Sequence, residues 1–115
     1  MSDVKSVIES GKAVLGIEFR STRIKAVLIG DDHAPIATGA HDWENMLVDG
    51  IWTYSLDMIW EGISDCYSKM AQDAKEKYGV TIKKLAAIGI SGMMHGYLPF
   101  DKEDNLLVPF RTWRN

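Results

Sequence analysis

The apolar positions of this chain fall into short continuous runs, followed by one long stretch of helical periodicity and then further short runs. Ala13-Val14-Leu15-Gly16-Ile17 and Ile24-Lys25-Ala26-Val27-Leu28-Ile29 read as strands, the first covered on both faces. Between them lies the polar loop Glu18-Phe19-Arg20-Ser21-Thr22-Arg23, and Gly30-Asp31-Asp32 supplies turn chemistry after the second strand. Pro35 to Asp42 predicts a third, weaker strand, giving two successive antiparallel hairpins. Ahead of these, Ser2 is placed to cap a short helix that runs to about Ser10 and stops at Gly11. Asn45 to Thr53 is read as an irregular loop with a short extended piece around Ile51 and Trp52.

From Ser55 to Tyr78 the period changes. Leu56, Ile59, Trp60, Ile63, Cys66, Tyr67, Met70, Ala71 and Ala74 recur every three or four residues, which puts them on one helix face. Ser55 suits the N-cap, Asp57 the first turn, Lys75 and Lys77 the last turn, and Gly79 the left-handed position beyond it. Leu85 to Ile90 then reads as a buried strand ending at Ser91-Gly92. Gly96–Phe100 and Leu106–Phe110 read as a hairpin joined by the solvated turn Asp101-Lys102-Glu103-Asp104-Asn105. A helical crossover after three antiparallel strands returns the chain parallel to a strand of the same sheet. The expected architecture is α/β, a mixed sheet with a long helix packed on it.

Composition narrows the function classes. The 115 residues are 46% hydrophobic and 25% charged, ordinary for a folded domain. A net charge of -3 argues against binding nucleic acid or an anionic membrane, both of which need clustered Lys and Arg. The first ten residues lack the apolar core of a secretory signal, and no stretch approaches the roughly 20 apolar residues of a membrane span. The single cysteine, Cys66, excludes an internal disulfide and falls on the apolar helix face; a reducing, cytoplasmic setting is expected. His33 and His41 have no metal-ligand spacing with each other or with Cys66, so no direct metal site is expected.

Two segments carry candidate chemistry. In Gly16 to Lys25, a tight turn between strands presents backbone N–H groups beside small hydroxyls, and an acid at the strand end can hold a metal-bound water. From spacing alone the plainer reading is favoured, a polar hairpin between core strands with Glu18 solvated at a strand end. In Gly89-Ile90-Ser91-Gly92-Met93-Met94-His95-Gly96, glycines flank an apolar pair and a histidine at the end of a parallel strand, the edge where open sheets bind ligands. His95 can hydrogen-bond a sugar hydroxyl, or stand as a satisfied turn residue beside two gap-filling methionines.

Together, LGIEFRSTRIKAVLI and AAIGISGMMHGYLPFDKEDNLLVPFRTWRN resemble the N-terminal domain of FGGY carbohydrate kinases, the group of xylulose, ribulose, gluconate and glycerol kinases. The resemblance covers about residues 14 to 115 and implies the ribonuclease H-like fold of the actin and hexokinase ATPases, here as a half-domain. Residues 1–12 are then a helical extension and 13–115 part of the kinase domain. It also implies ATP and Mg2+ as cofactors, a small sugar as substrate, and transfer of the γ-phosphoryl group to a sugar hydroxyl. By the same resemblance Glu18 stands where the family has an aspartate near metal and phosphates. Arg20, Ser21, Thr22 and Lys25 match the phosphate side of the site; Met94, His95, Trp113, Arg114 and Asn115 match the sugar side. Met94 and His95 favour a pentulose.

Two departures follow from that comparison. Glu18 is one methylene longer than the aspartate, and Arg20 replaces a usual glycine. Arg20 is therefore expected to hold a strained, positive-φ backbone and to project toward the phosphates. The catalytic aspartate and the second lobe are expected beyond residue 115, so these 115 residues are expected to be inactive alone and to self-associate through an uncovered sheet edge. The competing expectations are a stand-alone carbohydrate- or protein-binding module, and an actin-like ATPase without a sugar substrate.

Overall fold

The computed structural model describes every residue except Met1, Ser2, Met94 and His95. Its elements, in chain order, are α1 (Val4–Glu9), β1 (Val14–Phe19), β2 (Arg23–Ile29), β3 (Pro35–Asp42), β4 (Met46–Val48), β5 (Ile51–Thr53), α2 (Leu56–Tyr78) and β6 (Ala87–Ser91). The cap of α1 is Asp3, whose carboxylate accepts from the Lys5 N–H, and not Ser2 as expected. Four strands form one mixed sheet in the order β3-β2-β1-β6. β1–β2 and β2–β3 pair antiparallel, and β6 returns parallel to β1 after the α2 crossover, as the sequence predicts.

The core lies between the sheet and α2. Alternation along β2 sends Ile24, Ala26 and Leu28 inward, each fully buried, and Leu15 and Ile17 of β1 take the same side. From α2 the buried residues are Gly62, Cys66, Met70 and Ala74, four positions four residues apart that form one ridge. Ser55 caps α2 through a bond from the Met58 N–H, and Gly79 closes it at φ 67°. Val7 and Ile8 of α1 join the same core.

Close approach of α2 to β3 rests on Gly39. A Cβ at that position would stand 2.2 Å from the Cys66 carbonyl oxygen and 2.4 Å from the Met70 nitrogen. Because α2 lies over β3 and β2, it leaves the other half of the sheet open.

Three local expectations are corrected. Asn45 to Thr53 is not irregular: β4 and β5 form a hairpin around Asp49-Gly50, with φ of 50° and 77°. Those positive angles are what a two-residue hairpin loop demands, and Asp-Gly is its signal. Trp60, expected in the core stripe, is 65% exposed, because the ridge that meets the sheet runs through Gly62 and Cys66 instead. β6, expected to be buried, is exposed along its whole length. Its Ile88 and Ile90 pair with Leu15 and Ile17, hence share the core side of the sheet, but α2 does not reach that far. The expected hairpin after Gly96 survives as two antiparallel bridges, Tyr97 with Arg111 and Phe100 with Leu106.

Candidate phosphate and sugar site

Inward-facing Leu15 and Ile17 force Gly16 and Glu18 onto the opposite, open face of the sheet. Register then sets their neighbours. Glu18 lies between Lys25 of β2 and Ser91 of β6, so a cation, a carboxylate and a hydroxyl form one row across three strands. One row back, Gly16 lies between Val27 and Gly89. A Cβ on Gly89 would meet nothing within 4 Å, and one on Gly16 only the Val27 carbonyl at 3.9 Å. The result is an open trough of about 570 Å³ whose floor is bare at Gly16 and Gly89, beside the Val27 side chain, so a ligand can approach the backbone closely at those two glycines.

The turn Arg20-Ser21-Thr22 adjoins this row. The Arg20 N–H donates to the Arg23 carbonyl at 2.8 Å, closing the hairpin. Arg20 Nε lies 2.5 Å from Glu18 Oε1, and Arg23 Nε 2.9 Å from Asp42 Oδ1, so each guanidinium has a carboxylate partner at the turn. Arg20 does not occupy the left-handed region; among described non-glycine residues only His33, Asp49 and Asp104 have positive φ. The strain expected there is absent, because two strands meeting at this turn pass through it with ordinary backbone angles.

Beneath the turn is an aromatic floor. Trp43 and Tyr54 stack with centroids 4.0 Å apart, flanked by Phe19 at 6.4 Å from Trp43 and Phe110 at 5.8 Å from Tyr54. Trp43 donates its indole N–H to the Arg20 carbonyl at 2.6 Å and its backbone N–H to the Thr22 carbonyl at 3.1 Å. The Tyr54 hydroxyl donates to the Ser21 carbonyl and accepts from Asn45 Nδ2 at 3.1 Å. Burial, and secondarily the Glu44 carboxylate, push the Tyr54 phenol above its usual pKa, so it keeps its proton near neutrality.

The second motif converges on the same end of the sheet. Gly92, Met93 and Gly96, together with Phe19, Trp43, Ile59, Leu98 and Phe110, line a cavity of about 240 Å³ that both segments border. Met94 and His95 lie outside the described residues. Trp113 is 56% exposed. Arg114 and Asn115 are engaged with β5: the guanidinium carbon sits 3.7 Å from the Trp52 ring centroid, and the Asn115 amide brackets the Trp52 backbone, accepting from its N–H and donating to its C=O, both at 2.7 Å. The partners of these two residues are therefore Trp52 of β5 and the nearby Thr112, not the Glu18 turn.

Sequence reasoning did not single out Ser91, Trp43 or Tyr54. Ser91 becomes notable only once strand register sets it beside Glu18. Trp43 and Tyr54 each follow a strand directly, a position that carries no chemical signal until the strands are assembled.

Comparison with known proteins bears on the family and the fold. The chain matches the model of the FGGY family of carbohydrate kinases, N-terminal domain, over residues 13–115. No match was found among curated protein sequences. Among solved structures, it resembles gluconate kinase from Lactobacillus acidophilus (TM-score 0.69, 21% identity, 89% of this chain and 20% of that one). It likewise resembles a xyloylose kinase from Brucella ovis (TM-score 0.70, 20% identity, 88% and 21%). A ligand-bound xylulose kinase from Lactobacillus acidophilus gives TM-score 0.65 and 22% identity, with 89% and 20% covered. These identities establish a shared fold, and the chain spans about a fifth of the length of each relative. With 103 of 115 positions inside the family match, the chain belongs to the FGGY family of carbohydrate kinases, in its N-terminal domain.

Proposed function

We propose that this chain is the phosphate-handling first part of an ATP-dependent sugar kinase, with ribonuclease H-like topology, that transfers the γ-phosphoryl group to a hydroxyl of a pentulose-like sugar. The observation that carries the reading is the Lys25–Glu18–Ser91 row beside the Arg20–Thr22 turn. Its donor set fits the ligands a kinase requires. Lys25, Arg20 and the hydroxyls of Ser21 and Thr22 are donors suited to phosphate oxygens, and the Glu18 carboxylate suits a water held by a divalent cation. Such a cation, when bound, screens phosphate charge and draws electrons from the group in transfer.

Lys25 and Arg20 bind and orient the phosphates, and Glu18, now paired with Arg20, is the carboxylate that would hold the hydrated cation. Met94, His95 and the exposed Trp113 serve the sugar side; Arg114 and Asn115 support it by fixing Trp52. Residues 1–12 form a helical extension to the kinase portion at 13–115, and a cytoplasmic location fits the single buried thiol.

Titrating the isotopically labelled chain with MgATP tests this. Saturable amide shifts are expected at Glu18, Ser21, Thr22 and Lys25, and their loss in Lys25→Ala. Undisturbed amides at those positions refute the reading. The family resemblance places the carboxylate base for the sugar hydroxyl outside these residues, and general-base catalysis alone contributes ~10²–10⁴ in rate. Residues 1–115 alone are therefore inactive in this proposal; labelled phosphate transferred to any pentulose above a protein-free control overturns that part.

A further inference from the structure

Three consecutive carbonyls of the turn, those of Arg20, Ser21 and Thr22, each accept a hydrogen bond from the Trp43–Tyr54 floor. In a trans peptide the C=O and the following N–H point in opposite directions, and there is no cis peptide bond among the described residues. Drawing the Arg20 carbonyl to the indole therefore turns the Ser21 N–H away from the floor. Drawing the Ser21 carbonyl to the phenol does the same for the Thr22 N–H. Two successive N–H groups facing outward beside two hydroxyls form a concave anion seat. Neither peptide plane can rotate without breaking a bond to a buried aromatic: Trp43 is 8% exposed and Tyr54 1%.

We propose that Trp43 and Tyr54 are positioning residues of the phosphate turn: they hold its carbonyls down so that the Ser21 and Thr22 N–H groups face a phosphate. The proposal rests on the reading that this turn binds phosphate. The pair acts through the turn and does not touch the ligand. Asn45 is the outer member of the same chain of bonds. Because the only proton of the Tyr54 hydroxyl goes to the Ser21 carbonyl, Asn45 must donate to that hydroxyl through Nδ2, which fixes its amide orientation.

Preorganisation of this kind matters because a free turn would offer carbonyl oxygens to an anion in a fraction of its conformers. Fixing the planes removes that repulsion and the ordering entropy from the binding step. The same bonds also stabilise the fold, so the discriminating readout must be ligand affinity at the turn.

The experiment compares the chain with its Tyr54→Phe variant, which keeps the ring and removes only the hydroxyl, in titrations with MgATP and with tripolyphosphate followed at the Ser21 and Thr22 amides. Loss of one hydrogen bond's worth of preorganisation predicts about fivefold weaker binding of both probes. The shifts of α2 amides should stay in place, reporting an intact fold. Asn45→Ala, which leaves the ring stack untouched, should weaken both probes in the same direction but less, and it carries the test if Tyr54→Phe does not fold. Equal affinity in parent and variants, with saturable shifts in all, overturns the positioning role while leaving phosphate binding in place. No saturable shift at Ser21 and Thr22 in the parent overturns phosphate binding itself and the proposal with it.

Discussion

At the scale of single residues, Arg20 is where family resemblance and structure part. A family glycine suggested a left-handed backbone, yet Arg20 sits in ordinary φ space with its guanidinium on Glu18. Arg20→Gly therefore has no strain to release. It loosens the unfolded chain, an effect of about 0.5–1 kcal/mol against folding, and removes an exposed ion pair worth about 0–1 kcal/mol. Urea denaturation should show a lower midpoint for Arg20→Gly. A raised midpoint would reveal strain after all.

At the scale of elements, the α2–β3 contact decides whether the helix sits on the sheet. Two glycines make it, and they differ in what an added methyl meets. At Gly39 the neighbours are backbone atoms of α2, which cannot yield without moving the helix; at Gly62 they are the Ile24 and His41 side chains, which can turn aside. Gly39→Ala should destabilise by about 3 kcal/mol or prevent folding, and Gly62→Ala by about 1–2 kcal/mol. The reverse order in thermal melts would show that α2 is not held this close.

The same contact carries charge. Asp65 on α2 accepts from Lys69 at 2.9 Å and pairs with His41 Nδ1 of β3 at 2.8 Å, and these bonds, Lys69 first, hold its pKa below the usual carboxylate value of 3.8. A depressed folded pKa means the contribution is present above 3.8 and is lost as pH falls through the lower, folded value. Asp65→Asn should flatten the acid limb of the stability profile in that window, as followed by helix circular dichroism against pH. An unchanged acid limb would place the acid sensitivity elsewhere, for instance at Asp73, whose pKa is lowered by the Thr38 N–H and then by Lys77.

At the scale of the whole molecule, the packing is lopsided. The radius of gyration is 16.4 Å with extents of 52 × 29 × 20 Å, where a compact domain of this length has about 13 Å. α2 covers one half of the sheet, and β6 stands at the opposite edge with Ile88 58% and Ile90 71% exposed. β6 has no charged residue, proline or bulge to discourage pairing. The chain is expected to associate through this edge as concentration rises, and Ile90→Lys to shift sedimentation toward monomer. A single monomeric species for the parent at high concentration would remove the edge as an interface.

Local pattern determined a good part of this protein. β3 was legible to the residue, and α2 with its Ser55 cap and Gly79 stop nearly so, because cap chemistry and a 3.6-residue period are written within one segment. The parallel return of β6 followed from chain-crossover geometry, and the two motifs named the turn around Arg20 before any coordinate did. The β4–β5 hairpin was legible too, in Asp49-Gly50, but three-residue strands give too little alternation to be recognised. What tertiary structure alone decided was coverage and register. Apolar β6 looks buried in sequence, yet burial depends on whether a helix lies over it, and α2 lies over β2 and β3. Trp60 satisfies the helical period, but the ridge chosen for contact is set by where Gly39 lets the helix approach. Ser91 beside Glu18, and Trp43 and Tyr54 under the turn, join residues tens of positions apart. Such neighbours are fixed by strand pairing and by the competition of buried polar groups for partners, and neither acts within a local window of sequence.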